Sequence, residues 1–153
     1  MTLKHTKGNL LDLAEAGEFD VILHGCNCFN TMGAGIAREI RERYPLAAEV
    51  DSQTMRGGYN KLGTVSIADV GKFIIANGYT QYDMSRGEDV FEYTAFQLIL
   101  EKMVFAYGKK RIGLPYIGMG LAGGDKDLII AMIEGFADRV TECGGTVTLV
   151  EFK

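Results

Sequence analysis

Short apolar runs alternate along this chain with stretches whose apolar residues recur every three or four positions. The first pattern predicts strands and the second predicts helices. Leu3 to Lys7 alternates weakly and predicts a first strand, ended by Gly8-Asn9. Leu10 to Ala16, with Leu10, Leu11, Leu13 and Ala14, predicts a short helix closed by Gly17. Phe19 to His24 reads as a buried strand. Gly35 to Tyr44 sets Ile36, Ile40 and Tyr44 on one helical face, leaving Arg38, Glu39, Arg41, Glu42 and Arg43 as a solvated face. Pro45 is expected to stop that helix. Leu46 to Met55 predicts a further short helix, ended by Arg56-Gly57-Gly58.

Gly63 to Val70 and Lys72 to Gly78 are strand-like runs joined at Gly71, which predicts a hairpin. Tyr79 to Glu88 is polar and reads as a loop. Val90 to Tyr107 predicts a long amphipathic helix through Phe96, Ile99, Leu100, Met103 and Val104, closed by Gly108. Arg111 to Ile117 predicts an apolar strand. Asp125 is a candidate N-cap for a helix carrying Leu128, Ile129, Met132, Ile133, Phe136 and Val140, ended by Gly144-Gly145. Thr146 to Phe152 is the last strand. The alternation, with one hairpin, implies an α/β class: a single domain over residues 1–153, built as three layers (α/β/α) around a mixed sheet.

The chemistry concentrates in two loops, each between a predicted strand and a helix. The first runs from His24 through Cys26-Asn27-Cys28-Phe29-Asn30 to Met32-Gly33-Ala34-Gly35-Ile36. The second is Gly118-Met119-Gly120-Leu121-Ala122-Gly123-Gly124-Asp125. Small, glycine-rich loops at helix N-termini leave backbone N–H groups free for an anion. Two of them at the ends of parallel strands predict a cleft for a ligand with more than one phosphate.

Composition narrows what can bind there. With 16 basic and 20 acidic residues, the net charge of −4 argues against a nucleic-acid partner. It also means that amides and helix dipoles, not lysines, must hold any phosphate. Glycine, at 20 of 153 residues, is about twice its usual share of ~7%. No apolar run approaches the ~20 residues of a membrane helix, and no signal peptide is visible, so a cytoplasmic protein is expected. Three cysteines and two histidines, His5 and His24, complete no zinc site, and neither metal nor cofactor is expected.

Rival chemistries fail on particular residues. Gly33-Ala34-Gly35-Ile36-Ala37-Arg38 has Arg38 where a dinucleotide fingerprint needs its third glycine. Neither a P-loop nor a G-x-S-x-G nucleophile elbow is present. Cys26 or Cys28 as a nucleophile with His24 lacks any sign of thiol activation. A small residue in a tight bend accounts for both.

His-Gly-Cys-Asn-Cys, then Met-Gly-Ala-Gly-Ile-Ala and Arg-Tyr-Pro, resembles the first ligand loop of macro domains. It is closest to the branch holding ADP-ribose-1″-phosphate phosphatases and ADP-ribosyl-glutamate hydrolases. Leu-Pro-Tyr-Ile-Gly-Met-Gly-Leu-Ala-Gly-Gly-Asp is similar to the second ligand loop of that branch. Lys7-Gly8-Asn9-Leu10 matches its early Gly-Asp-[Ile/Leu] signature, with Asn in place of Asp. The resemblance covers nearly the whole chain.

It implies ADP-ribose as ligand, with Asn9 at the adenine amino group beside Leu10. Asn27, Asn30, Met32, Gly33, Ala34, Gly35 and Ile36 would surround the distal ribose and a phosphate. Gly118, Met119, Gly120, Leu121, Ala122, Gly123 and Gly124 would cradle the diphosphate. Tyr79 or Tyr82 would pack on a ribose or the adenine. His24 and Asp125 would be catalytic, Asp125 orienting or deprotonating water and His24 donating to the leaving group. The bland alternatives are a helix cap for Asp125 and a backbone bond for His24. Asn77-Gly78-Tyr79-Thr80-Gln81-Tyr82-Asp83 has no counterpart of the lysine with which the glutamate-ester hydrolases attack the distal ribose. The expected activity is hydrolysis at the distal ribose, first of ADP-ribose-1″-phosphate and second of an ADP-ribosyl ester on a protein. The alternatives are a non-catalytic ADP-ribose reader and a macro fold for another nucleotide.

Overall fold

The structure, a computed structural model, describes residues 2–83, 91–119 and 122–152. Its elements in chain order are β1 (Lys4–Gly8), α1 (Leu10–Glu15), β2 (Val21–Cys26), α2 (Gly35–Arg43), α3 (Pro45–Ser52), a 3₁₀ turn (Tyr59–Lys61), β3 (Val65–Asp69), β4 (Ile74–Tyr79), α4 (Tyr93–Tyr107), β5 (Arg111–Leu114), α5 (Lys126–Cys143) and β6 (Thr146–Phe152). The strands form one mixed sheet in the order β1-β6-β5-β2-β4-β3. Among the described strands, β3 and β4 form the antiparallel pair, as the predicted hairpin, and the other pairs are parallel.

Two cores flank the sheet. Val21, Leu23, Ala76, Ile112, Leu114, Val147 and Leu149 face α4 and α5. Ile22, Ile75 and Val150 face α1, α2 and α3. The opposite facing of Ile22 and Leu23 is the strand period of two applied to a run apolar on both faces. This is the three-layer α/β/α domain that the alternation implied.

The boundaries that differ have local causes. Pro45 does not merely stop α2; it is the first residue of α3, where its missing N–H is harmless. The expected Arg111–Ile117 strand ends at Leu114 because Pro115 cannot donate to a ladder. Strand β2 runs on to Cys26, pairing Gly25 with Gly78 and Cys26 with Tyr79. That places Tyr79 in β4 rather than in a loop. The helix expected from Val90 begins at Tyr93 among the described residues.

The chain leaves β2 toward α2 and the β3–β4 side of the sheet. It leaves β5 toward α5 and β6 on the other side. The carboxyl ends of β2 and β5 therefore flank a topological switch point, where open α/β sheets bind their ligands.

Candidate functional site

Both glycine loops meet at that switch point. A cleft of about 610 Å³ is lined by Asn27, Met32, Gly33, Ala34, Gly35, Ile36 and Ala37 from the first loop and the start of α2. The opposite wall is Pro115, Tyr116, Ile117, Gly118 and Ala122. The floor is Gly25 and Cys26 at the end of β2, with Thr80 and Gln81 just past β4. None of these described lining residues carries a formal charge. Ala34, the N-cap of α2, supplies no side-chain cap, so the first N–H groups of α2 keep their hydrogen-bonding capacity for a ligand.

The first loop is held from below. The Asn27 side chain accepts from the Phe29 N–H at 2.7 Å and donates to Thr31 Oγ1 at 2.7 Å. Cys28 N donates to the Tyr82 carbonyl at 2.8 Å, and the Cys28 carbonyl accepts from Gly57 N at 2.7 Å. Lys61, only 6% exposed, donates from Nζ to the Cys28 carbonyl at 3.0 Å and to Asn30 Oδ1 at 2.6 Å. Its ammonium also lies 4.7 Å from the Tyr79 ring centre. These contacts hold Asn30 and Met32 at φ 59° and 41°, the left-handed region, which costs a non-glycine residue about 1–2 kcal/mol. Tyr82 stacks on Tyr59 at 3.8 Å and donates to the Gly57 carbonyl, so it braces this loop from outside the cleft lining.

The second loop closes on itself through Gly124 N donating to the Gly118 carbonyl at 2.7 Å. Gly118 has φ 76°, and a Cβ there would run into the Phe91 ring. Its glycine is demanded by packing inside the protein as well as by its place on the cleft wall.

Several expected site residues lie elsewhere. Asn9 spends its Oδ1 capping α1, accepting from Leu11 N at 2.9 Å and Asp12 N at 3.0 Å, while Nδ2 donates to Glu39 Oε1 at 2.9 Å. It is not among the residues that line the cleft, and its side chain serves as the cap of α1. Leu10 is buried in the core beneath α1 to α3. Asn30 turns away from the cleft toward Lys61 and the Thr54 carbonyl. Tyr79 is fully buried; its hydroxyl donates to Asp51 Oδ1 at 2.6 Å and also bonds Ser66. Packing of Tyr79 on a ligand ring is corrected by this burial. Met119 packs against the core under α4 and α5. Gly123 and Gly124 shape the loop without lining the cleft, and Gly120 and Leu121 lie outside the described residues.

His24 requires the largest correction. It shares the α1–α3 face with Ile22 by strand parity and is fully buried opposite Asn77. Asn77 Nδ2 donates to the Ala47 carbonyl and Ser66 Oγ, both at 3.1 Å. Its Oδ1 must therefore accept, so His24 Nε2 carries a proton and donates to it at 2.6 Å. Burial lowers the His24 pKa to about 4, against the Asn77 hydrogen bond, which raises it. A neutral, enclosed imidazole outside the cleft does not meet a leaving group.

This has a measurable consequence. Unfolded His24 titrates near 6.5, and folded His24 near 4. Between those values only the unfolded chain takes the proton, so stability falls as the pH drops from 6.5 toward 4 and is unaffected above 6.5. The loss reaches about 3 kcal/mol below pH 4. Urea midpoints of wild type and His24→Gln across that range should converge as the pH falls; parallel curves would refute the assignment.

Asp125 is exposed and caps α5, its Oδ1 accepting from Leu128 N at 3.2 Å, while its own N–H donates to the Tyr93 hydroxyl at 2.8 Å. Cys26 lines the cleft, but burial foremost, then the Asp51 charge, pushes its thiol pKa well up, so it is no ready nucleophile. The lining residues Gly25, Cys26, Ala37, Thr80, Gln81, Pro115, Tyr116 and Ile117 were not among the expected site residues. Pro115, Tyr116 and Ile117 directly precede the second loop, and that adjacency was the available signal.

No family model matches the chain. It is 33% identical over 149 residues to an uncharacterized 17.5 kDa protein from the tk-vs intergenic region of Enterobacteria phage T4, covering 92% of this chain and 93% of that one. It is 29% identical over 132 residues to the ADP-ribose 1″-phosphate phosphatase of Candida albicans, covering 79% of this chain and 85% of that one. Among solved structures, the Trypanosoma brucei macrodomain in complex with ADP-ribose matches with a TM-score of 0.73 at 13% identity, covering 99% of this chain and 63% of that one.

Proposed function

We propose that the chain, which shares the macrodomain fold, is a macro domain whose cleft takes ADP-ribose derivatives and which hydrolyses a group from their distal ribose. ADP-ribose-1″-phosphate is the first substrate. The observation that carries this reading is the convergence of both glycine loops on one cleft with the uncapped start of α2. An uncharged lining suits a diphosphate held by amides, whose hydrogen bonds to an ionised acceptor are worth roughly twice neutral ones. In this reading the diphosphate spans the two glycine loops at the β5–β2 switch point, and the distal ribose takes the corner of Asn27 and the end of β4. The likeness to the Candida albicans phosphatase supports the choice of substrate.

Asp125 is the carboxylate assigned to the water. It is not among the lining residues, but it is the last residue of the second loop, whose Gly118 and Ala122 line the cleft. A second reading, a module that binds ADP-ribose without turnover, is favoured by the lack of titratable carboxylate, imidazole or amine among the described lining residues.

One pair of measurements separates them. Calorimetric titration with ADP-ribose should give a saturable heat, and ADP-ribose-1″-phosphate should release inorganic phosphate. Asp125→Ala should lower that release by about 100-fold or more, within the usual range for general base catalysis, and leave ADP-ribose affinity within a few-fold. Binding without phosphate release leaves the reader. Full turnover by Asp125→Ala refutes the role of the carboxylate.

A further inference from the structure

Thr80 is the residue of the cleft that the fold itself does not explain. It is 2% exposed, and its backbone is fully engaged: N donates to the Cys26 carbonyl at 3.1 Å, and its carbonyl accepts from Glu92 N at 2.8 Å. Its hydroxyl is different. Among the described residues, Thr80 Oγ1 is the buried side-chain oxygen or nitrogen that has no hydrogen-bond partner. Buried polar groups are satisfied in nearly all native structures, so an orphan calls for a cause. Valine has the same shape without the hydroxyl, and the position next to β4 would suit it. A threonine retained there carries an unmade bond.

Its location supplies the cause. Thr80 lies in the cleft floor beside Gly25, Cys26 and Gln81, at the end of β4, on the side of the switch point away from β5. A Cβ built on Gly25 would sit 2.8 Å from Oγ1 and 3.1 Å from Ile117 Cγ2. The hydroxyl is thus turned toward a glycine of the cleft floor that leaves it room. Meeting a ligand there breaks no hydrogen bond, because none is made.

We propose that Thr80 Oγ1 is a ligand-binding group that hydrogen-bonds a hydroxyl of the distal ribose. The assignment rests on the proposed ADP-ribose reading and adds the contact that distinguishes ADP-ribose from ADP, which shares its adenosine and diphosphate and lacks the second sugar. Gln81, the other residue of this corner, donates from Nε2 to the Asp83 carbonyl at 3.2 Å. Thr80 therefore holds the uncommitted hydroxyl of the pair.

The test compares wild type, Thr80→Val and Thr80→Ser by calorimetry with ADP-ribose and with ADP, alongside urea unfolding of the free proteins. Thr80→Val should bind ADP-ribose about tenfold more weakly, equivalent to about 1.4 kcal/mol, and bind ADP as wild type does. Thr80→Ser should keep ADP-ribose affinity within about threefold, because the hydroxyl remains. The unfolding midpoint of Thr80→Val should stay level or rise, since it removes a buried donor with no partner. A merely structural threonine gives the opposite sign, with midpoint and affinity falling together. That result overturns the proposal, as does an unchanged ADP-ribose affinity or an equal loss for ADP. If wild type binds no ADP-ribose, the functional reading itself fails, and this assignment falls with it.

Discussion

Gly35→Glu is expected to abolish ADP-ribose binding, by at least about 100-fold, while the protein stays folded. Gly35 opens α2 with φ 56°, and a Cβ there meets no atom within 4 Å. The new side chain therefore enters open space at the cleft wall, where the first N–H groups of α2 await an anion. A carboxylate at that place competes with the diphosphate for the same amides and repels it, and like-charge juxtaposition costs several kcal/mol. The positive φ adds a separate cost of about 1–2 kcal/mol to stability. Gly35→Ala carries that backbone cost without the charge and separates the two effects. Calorimetry should give a few-fold loss for alanine and no measurable heat for glutamate. Wild-type affinity in Gly35→Glu would remove the helix terminus from the binding site.

Lys61→Met is expected to lower stability by about 3 kcal/mol, the scale of two hydrogen bonds to a charged donor. Methionine fills much of the same volume but leaves the Cys28 carbonyl without its lysine bond and Asn30 Oδ1 with Thr54 alone. It also takes a positive charge from the surroundings of Asp51, whose carboxyl burial already raises above its ordinary range, against the hydroxyl of Tyr79 and the charge of Lys61. The effect should reach the ligand. Asn30 and Met32 sit in left-handed backbone that the lysine helps to hold, and Met32 lines the cleft. Urea unfolding should show the drop, and calorimetry should show weaker ADP-ribose binding at a temperature where the variant is still folded. A midpoint equal to wild type would mean that the loop is held without Lys61.

The succession of strands and helices was legible because each element carries its own period. The hairpin at Gly71, the long α4 and the α5 helix capped by Asp125 needed no distant partner to be recognised. The loops were legible as well, since strand, glycine-rich turn and helix are contiguous in the chain. Strand ends were less so. Gly25 and Cys26 look like loop residues, yet the β4 ladder extends β2 over them, and that extension draws Tyr79 into the core.

Residue roles divide along the same line. His24 and Asn9 belong to motifs that suggest ligand contact, but the oxygen of Asn9 is consumed by α1 and the imidazole of His24 by Asn77, 53 residues away. Lys61 gave no sequence signal, because its partners Cys28 and Asn30 lie 33 and 31 residues distant. Thr80 looked like an ordinary polar residue in the segment without a lysine, and only its surroundings reveal an unpaired hydroxyl.

By itself the sequence determined the α/β class, the order of elements and the two glycine loops, since periodicity, capping and turn preference act over a few neighbouring residues. The tertiary structure alone decided which side chains face the cleft, which are spent holding its walls and which hydroxyl is left over. Strand parity and hydrogen-bond partnership between distant segments exist only once the sheet has formed.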